Sequence, residues 1–365
     1  MNIPDFFSRY WLLIALYQAI CAFASSAVAD RKRRDQGYWF LSGLVLGIFA
    51  LAAVIIVKRR SEELAPKNNL LLDSEHYLRS GWRVTLFLVA IIAIYYISAI
   101  LAKLTGVVPI QSFYFLFYID VIIATYLLIR FVDRRRFVSV GIPYHGKIWK
   151  ELLLGFLIGA VMIGAVGGVE LAAGAIKLNI RPGQNWLLVI RNFGLSFIFF
   201  GFFAMGEELV FRGYPFQALI DGTGAVGATI LMSIFFGAMH LANPSADFLS
   251  TLNTMLAGVW LSLAYLKTRA LYFPFGMHFS WNLVQSFFLS LPVSGLLTNR
   301  TIFVPTDYGP YWLTGGRYGP EAGVGTTVVI AAAIAYLLIS KKIKPAYDYE
   351  ATRQRFAVAD RSKAA

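Results

Sequence analysis

An all-α, polytopic membrane fold is what the sequence predicts, and three observations predict it. Of the 365 residues, 58% are hydrophobic and only 15% are charged, with a mean hydropathy of +0.63; a soluble core does not absorb so much apolar surface. The apolar residues fall in stretches of about 20, the length that spans hydrocarbon at a helical rise of about 1.5 Å per residue. Short runs of Lys and Arg separate the stretches, as in loops retained on the cytoplasmic side.

In chain order the stretches predict up to ten helices, near 10–29, 38–57, 82–103, 111–132, 151–176, 186–214, 223–242, 247–266, 272–291 and 322–340. The first has no basic n-region and runs into Arg31-Lys32-Arg33-Arg34 with no convincing cleavage site, so it reads as a retained segment and not as a signal peptide. If every helix from 82 onward crosses, three sets of basic residues share one side: Lys58 to Arg79, Arg134 to Lys150, and Lys267 and Arg269 with Lys341, Lys342 and Lys344. That side is the cytoplasm. The same alternation leaves Arg31 to Arg34 outside, where basic runs are disfavoured. The division that follows is an N-terminal hydrophobic hairpin with basic loops over 1–80, an eight-helix core over 81–344, and a polar cytoplasmic tail over 345–365. Small residues in the fifth stretch, among them Gly159-Ala160 and Gly164 through Gly168, predict close helix packing. No repeat of solenoid length and no low-complexity tract interrupts the pattern.

The net charge of +13 invites a nucleic-acid reading, but the basic residues lie between apolar stretches, where they set topology and meet anionic lipid. The predicted partners are the lipid bilayer and a peptide or protein substrate, with no nucleic acid; the sequence carries no sign of oligomeric state. One cysteine, Cys21, excludes an internal disulfide and a cysteine-rich metal site. The expected location is a cell inner or plasma membrane, crossed many times, with the C-terminus in the cytoplasm.

Chemistry concentrates in Gly206-Glu207-Glu208-Leu209-Val210-Phe211-Arg212-Gly213. A charge near the bilayer centre costs about 2.5–3.5 kcal/mol on the most lenient scale, so two adjacent carboxylates and an arginine there are expected to be partnered and to serve a task. Glu208 and Arg212 stand four apart with the acid first, the favourable order for an ion pair, and Glu207 points about 100° away from them. Phe236-Gly237-Ala238-Met239-His240 ends the next apolar stretch, and His278-Phe279-Ser280-Trp281-Asn282 puts His278 and Asn282 one turn apart on one face of a later one. Counted from a turn near Asp221-Gly222, Glu207 and His240 lie about 21 and 28 Å above it, so they can meet across an antiparallel pair. His278 and Asn282 reach only about 10 and 16 Å from the turn near 268–271, so bringing them in needs tilt, a kink at Pro274 or a dipping loop.

A carboxylate and an imidazole in a wet intramembrane pocket can take a proton from water and pass it to a leaving amine, and a second His with an amide can hold an oxyanion. Glu207, His240 and His278 could instead ligate zinc with a position open for water. The His-Glu-x-x-His zinc helix is absent, so such a site would be assembled from separate helices. The residues fit a zinc and a metal-free mechanism equally.

Glu207-Glu208-x-x-x-Arg212, Phe236-x-x-x-His240 and His278-x-x-x-Asn282, in that order on separate stretches, resemble the three motifs of the CAAX protease and bacteriocin-processing family of intramembrane proteases, relatives of the type II CAAX prenyl endopeptidases. The resemblance spans about 82–340 and leaves 1–80 unaccounted for. It implies an eight-helix core with the motifs on its fourth, fifth and seventh helices, and an endopeptidase acting on a membrane-associated or C-terminal peptide. Glu207 would activate water with His240 as its partner, His278 and Asn282 would bind the oxyanion, and Glu208 with Arg212 would support the site. The family carries both a metalloprotease label and a metal-free glutamate mechanism. CAAX specificity is not carried over, since many bacterial members have no prenylated substrate. The competing class is a non-catalytic transporter or scaffold on the same fold, whose carboxylates would titrate during transport.

Overall fold

The computed structural model describes residues 21–57 apart from 23, 30 and 33, together with 78–105, 113–297 and 302–346. The fold is all-α and polytopic in character. Two short helices, α1 (Gln36–Leu46) and α2 (Ile48–Ile56), precede α3 (Ser80–Thr105), α4 (Phe113–Leu127), α5 (Ile148–Ala172), α6 (Trp186–Phe211), α7 (Tyr214–His240), α8 (Phe248–Thr268), α9 (Tyr272–Leu283), the single turn α10 (Tyr311–Thr314) and α11 (Val324–Ile339). Strands β1 (Ile176–Ile180) and β2 (Phe303–Asp307) pair antiparallel, with Ile176 opposite Asp307 and Ile180 opposite Phe303. Among the described residues, five apolar helical stretches are long enough to cross a membrane, α6 and α7 counted as one. Residues 10–20 of the stretch predicted near 10–29 and the tail beyond 346 lie outside the described residues.

Several boundaries differ from the sequence expectation, each for a local reason. The stretch 38–57 is two helices because Gly47 adopts φ 57, a left-handed value that breaks the ladder and that glycine tolerates. The fifth stretch stops at Ala172, and the alternating Ile176-Lys177-Leu178-Asn179-Ile180 becomes β1. Helix α6 ends at Phe211, and Pro215 sits in the first turn of α7, where its missing N–H costs nothing. The predicted turn near Asp221-Gly222 is instead helical, with the break at Gly224, φ 76. Pro274 lies in the first turn of α9, so it makes no kink there.

Contacts group the chain into two compact units. The first comprises 1–108, 123–134 and 215–231; within it the buried Arg83 bridges Asp133 and Asp221, the latter at 2.7 Å. The second comprises 109–122, 135–214 and 232–365 and holds all three motifs. Its main core joins Met162, Ile163 and Val166 of α5 to Trp260 and Leu261 of α8, Met277 and Trp281 of α9, and Ile330 and Leu337 of α11. Helices α5 and α9 approach backbone to backbone: a Cβ on Gly155 would lie 2.2 Å from the Phe273 carbonyl, and one on Gly159 would lie 2.2 Å from that of Met277. The predicted small-residue packing therefore belongs to Gly155 and Gly159. Gly164 and Gly168 face open space, and Gly167 meets a Leu289 side chain.

Candidate active site

The site is built on the last two turns of α6. Asn185 caps the start of that helix, accepting from the amides of Leu187 and Leu188, and the helix runs unbroken to Phe211. Glu208 is fully buried and Arg212 is 1% exposed, so the two charges stand by pairing with each other, with Glu208 Oε2 and Arg212 Nε left without a hydrogen bond among the described residues. Arg212 Nη1 donates to Glu208 Oε1 at 3.1 Å, and Nη2 donates to the Gly258 carbonyl of α8 at 3.0 Å. The Phe236 ring lies 4.9 Å from the guanidinium carbon, within cation–π range.

Helix α9 supplies the imidazole. His278 Nδ1 lies 2.9 Å from Glu208 Oε1, and a carboxylate accepts only, so Nδ1 carries the proton. The ring is thereby held in one orientation, with Nε2 turned to Glu207 Oε2 at 3.6 Å. Glu207 Oε1 accepts from the Tyr118 hydroxyl at 3.3 Å, while Oε2 is buried and makes no hydrogen bond among the described residues. A water about 2.8 Å from both atoms can occupy the apex of a triangle on that 3.6 Å base.

The remaining motif residues stand nearby in differing degree. His240 ends α7; its Nδ1 donates to the Phe236 carbonyl at 2.7 Å, and its ring lies 4.5 Å from that of Phe236. The same phenylalanine meets His278 edge-on at 6.3 Å, so Phe236 links the two histidines as packing. Asn282 is half-buried one turn beyond His278 and makes no hydrogen bond among the described residues. The imidazole facing Glu207 is thus that of His278, whereas the sequence reading gave that place to His240.

Three residues of this neighbourhood escaped the sequence reading. Tyr118 comes from α4, with no local signal to mark it. Gln285, fully buried, follows His278 by seven residues and so shares its face, a spacing that could have been read; its amide nitrogen donates to the Pro292 carbonyl. Glu321 lies in the loop before α11 and accepts from the amide of Ser294 and from its hydroxyl, the latter at 3.1 Å. Burial pushes the Glu321 carboxyl up to about 7, against the opposing hydrogen bonds from Ser294.

Zinc was the cofactor that the sequence admitted. Glu208 Oε1 and His278 Nδ1 are committed to each other, and His240 Nδ1 to a carbonyl. Among the described residues, no group of three or more His, Cys, Asp or Glu side chains is arranged to hold a metal, while a catalytic zinc takes three protein ligands.

Residues 186–284 match the model of the family described as Type II CAAX prenyl endopeptidase Rce1-like. All three motifs fall inside that span. The resemblance to the CAAX protease and bacteriocin-processing family holds. A relative in Bacillus subtilis (strain 168), the Uncharacterized protein YyaK, is 23% identical over 211 residues, covering 53% of this chain and 66% of that protein, just under two thirds of its length. No solved structure matches the chain. The match and the long apolar helices together support a multi-pass membrane protein.

Proposed function

We propose that the protein is an intramembrane endopeptidase that hydrolyses a peptide bond of a membrane-associated or C-terminal peptide, with Glu207 as the base that activates water. The observation that carries this reading is the pairing of Glu207 Oε2 with His278 Nε2 at 3.6 Å, the ring being fixed from behind by the Glu208 and Arg212 pair. In the proposed reaction Glu207 accepts a proton from water as the oxygen adds to the scissile carbonyl. The resulting oxyanion is met on the same face of α9 by the Asn282 amide and, with the ring as the imidazolium, by His278 Nε2–H. Glu207 then returns the proton to the departing amine as the C–N bond breaks, which restores the carboxylate. His240, tied to Phe236, lines the cluster on the α7 side. Glu208 and Arg212 touch no reacting atom; they hold His278.

The reading also includes the topology expected from the basic loops, with the C-terminus in the cytoplasm. The test is cleavage of a peptide library by the purified protein in detergent. Glu207→Gln and His278→Ala should each lower the rate by about 10²–10⁴, the range for general acid–base groups, with yield and thermal midpoint retained. A wild-type protein that cleaves no peptide, yet gives Glu207-dependent proton flux in proteoliposomes, would overturn the proposal in favour of a transporter.

A further inference from the structure

Glu207 carries two oxygens with different surroundings, and the difference originates in α4. Tyr118 places its hydroxyl 3.3 Å from Oε1, and its ring reaches that position by crossing α6 at Gly206, the residue just before the acid. A Cβ on Gly206 would lie 2.2 Å from Tyr118 Cδ1 and 2.8 Å from Cε1, so only glycine admits the ring there. The ring is steadied further by Phe203 at 5.2 Å and Phe202 at 6.1 Å, both edge-on, and these two pack in turn on Phe115. The seat is made by the backbone of α6 and the contact is made by the hydroxyl. They are separate observations on one side chain.

We infer that Tyr118 is a positioning residue for Glu207, an inference that rests on the proposed role of that acid as base. A hydroxyl donor on Oε1 fixes the carboxylate plane and leaves Oε2 directed at His278 Nε2, which is the orientation that water activation requires. A hydroxyl donor also stabilises the negative charge on the oxygen it meets. At 3.3 Å the bond is longer than the usual 2.7–2.8 Å or so for O–H···O; catalytic hydrogen bonds commonly tighten only when substrate is bound. Nothing in the linear sequence near Glu207 encodes this contact except the glycine that makes room for it.

The experiment is the pH profile of peptide cleavage by the full-length protein and its Tyr118→Phe variant, with Glu207→Gln alongside. Tyr118→Phe keeps the ring on Gly206 and removes only the donor. It should lower kcat about tenfold, as loss of a hydrogen bond to a charged group implies, with KM within about twofold of wild type, and should move the acidic limb of the kcat profile to higher pH. Gly206→Ala, which displaces the ring, should reproduce both changes. If Glu207→Gln is inactive while Tyr118→Phe keeps the wild-type kcat and acidic limb, the inference on Tyr118 fails and the role of Glu207 stands. If Glu207→Gln itself cleaves at the wild-type rate, the proposed function fails with it. A Tyr118→Phe protein with a lowered thermal midpoint but an unmoved acidic limb would mark the hydroxyl as structural and overturn the inference.

Discussion

Helices α3 and α9 differ in almost every respect that governs membrane proteins. Helix α3 is a long, strongly apolar helix in which Val89, Ile92, Ile97, Ile100, Leu101 and Leu104 are all more than half exposed; few of its residues are buried. Helix α9 spans twelve residues before a π-helical turn and is not among the stretches long and apolar enough to cross by themselves, yet nine of its residues are buried, His278 and Ser280 included. Hydropathy measures contact with lipid, whereas burial against protein tolerates and even selects polar groups, because lipid gives no reason for apolar side chains to leave it. The helix that is loudest in a hydropathy profile therefore says least about function, and the quieter one carries the imidazole.

Substitutions can break or sharpen this contrast. A large structural effect is expected at the seam of α5 and α9. Gly159→Val should clash with the Met277 carbonyl and the Ser280 hydroxyl, costing at least the roughly 1–3 kcal/mol of an overpacked core, read as a lowered thermal midpoint in detergent. Gly164→Val, in open space on the same helix, should leave the midpoint unchanged. Met277→Ala, 1% exposed in the main core, should cost about 2–5 kcal/mol, against less than about 0.5 kcal/mol for Leu101→Ala on α3. Equal losses at the two positions would dissolve the comparison.

A smaller effect concerns pH. Burial raises the Glu321 carboxyl from its ordinary 4.5 to about 7, so the folded state binds this proton more tightly than the unfolded chain does. Its contribution to stability is complete below pH about 4.5 and is lost as pH rises through about 7. The thermal midpoint should accordingly decline between those values. Glu321→Gln, neutral throughout, should flatten the decline; an unchanged slope in that variant would assign the pH dependence elsewhere.

The membrane helices were legible because about 20 apolar residues in a row have one physical use, and the three motifs were legible because charges inside such runs need a reason. From α3 onward, eight α-helices longer than a single turn are present among the described residues, with Glu207, His240 and His278 on the fourth, fifth and seventh of them. What escaped depends on partners distant in sequence. Strand β1 was left as a connection between the predicted helices at 151–176 and 186–214, because its pairing residues lie at 303–307. Depth counting brought His240 close to Glu207 from a turn placed at Asp221-Gly222, where the chain remains helical, and left His278 short when counted from the turn near 268–271. The order of the histidines around the acid is a product of packing, in which Phe236 stands between them, and no spacing along the chain records it. Tyr118 is the extreme case, 89 residues from the carboxylate it touches.

The β1–β2 ladder joins 176–180 to 303–307, and the segment that matches the protease family, 186–284, lies wholly between those strands. The motif-bearing stretch is therefore a cassette fastened by its own clasp. A chimera that exchanges this stretch with a relative's must bring both halves of the fastener across together, or the swapped piece arrives unbuckled.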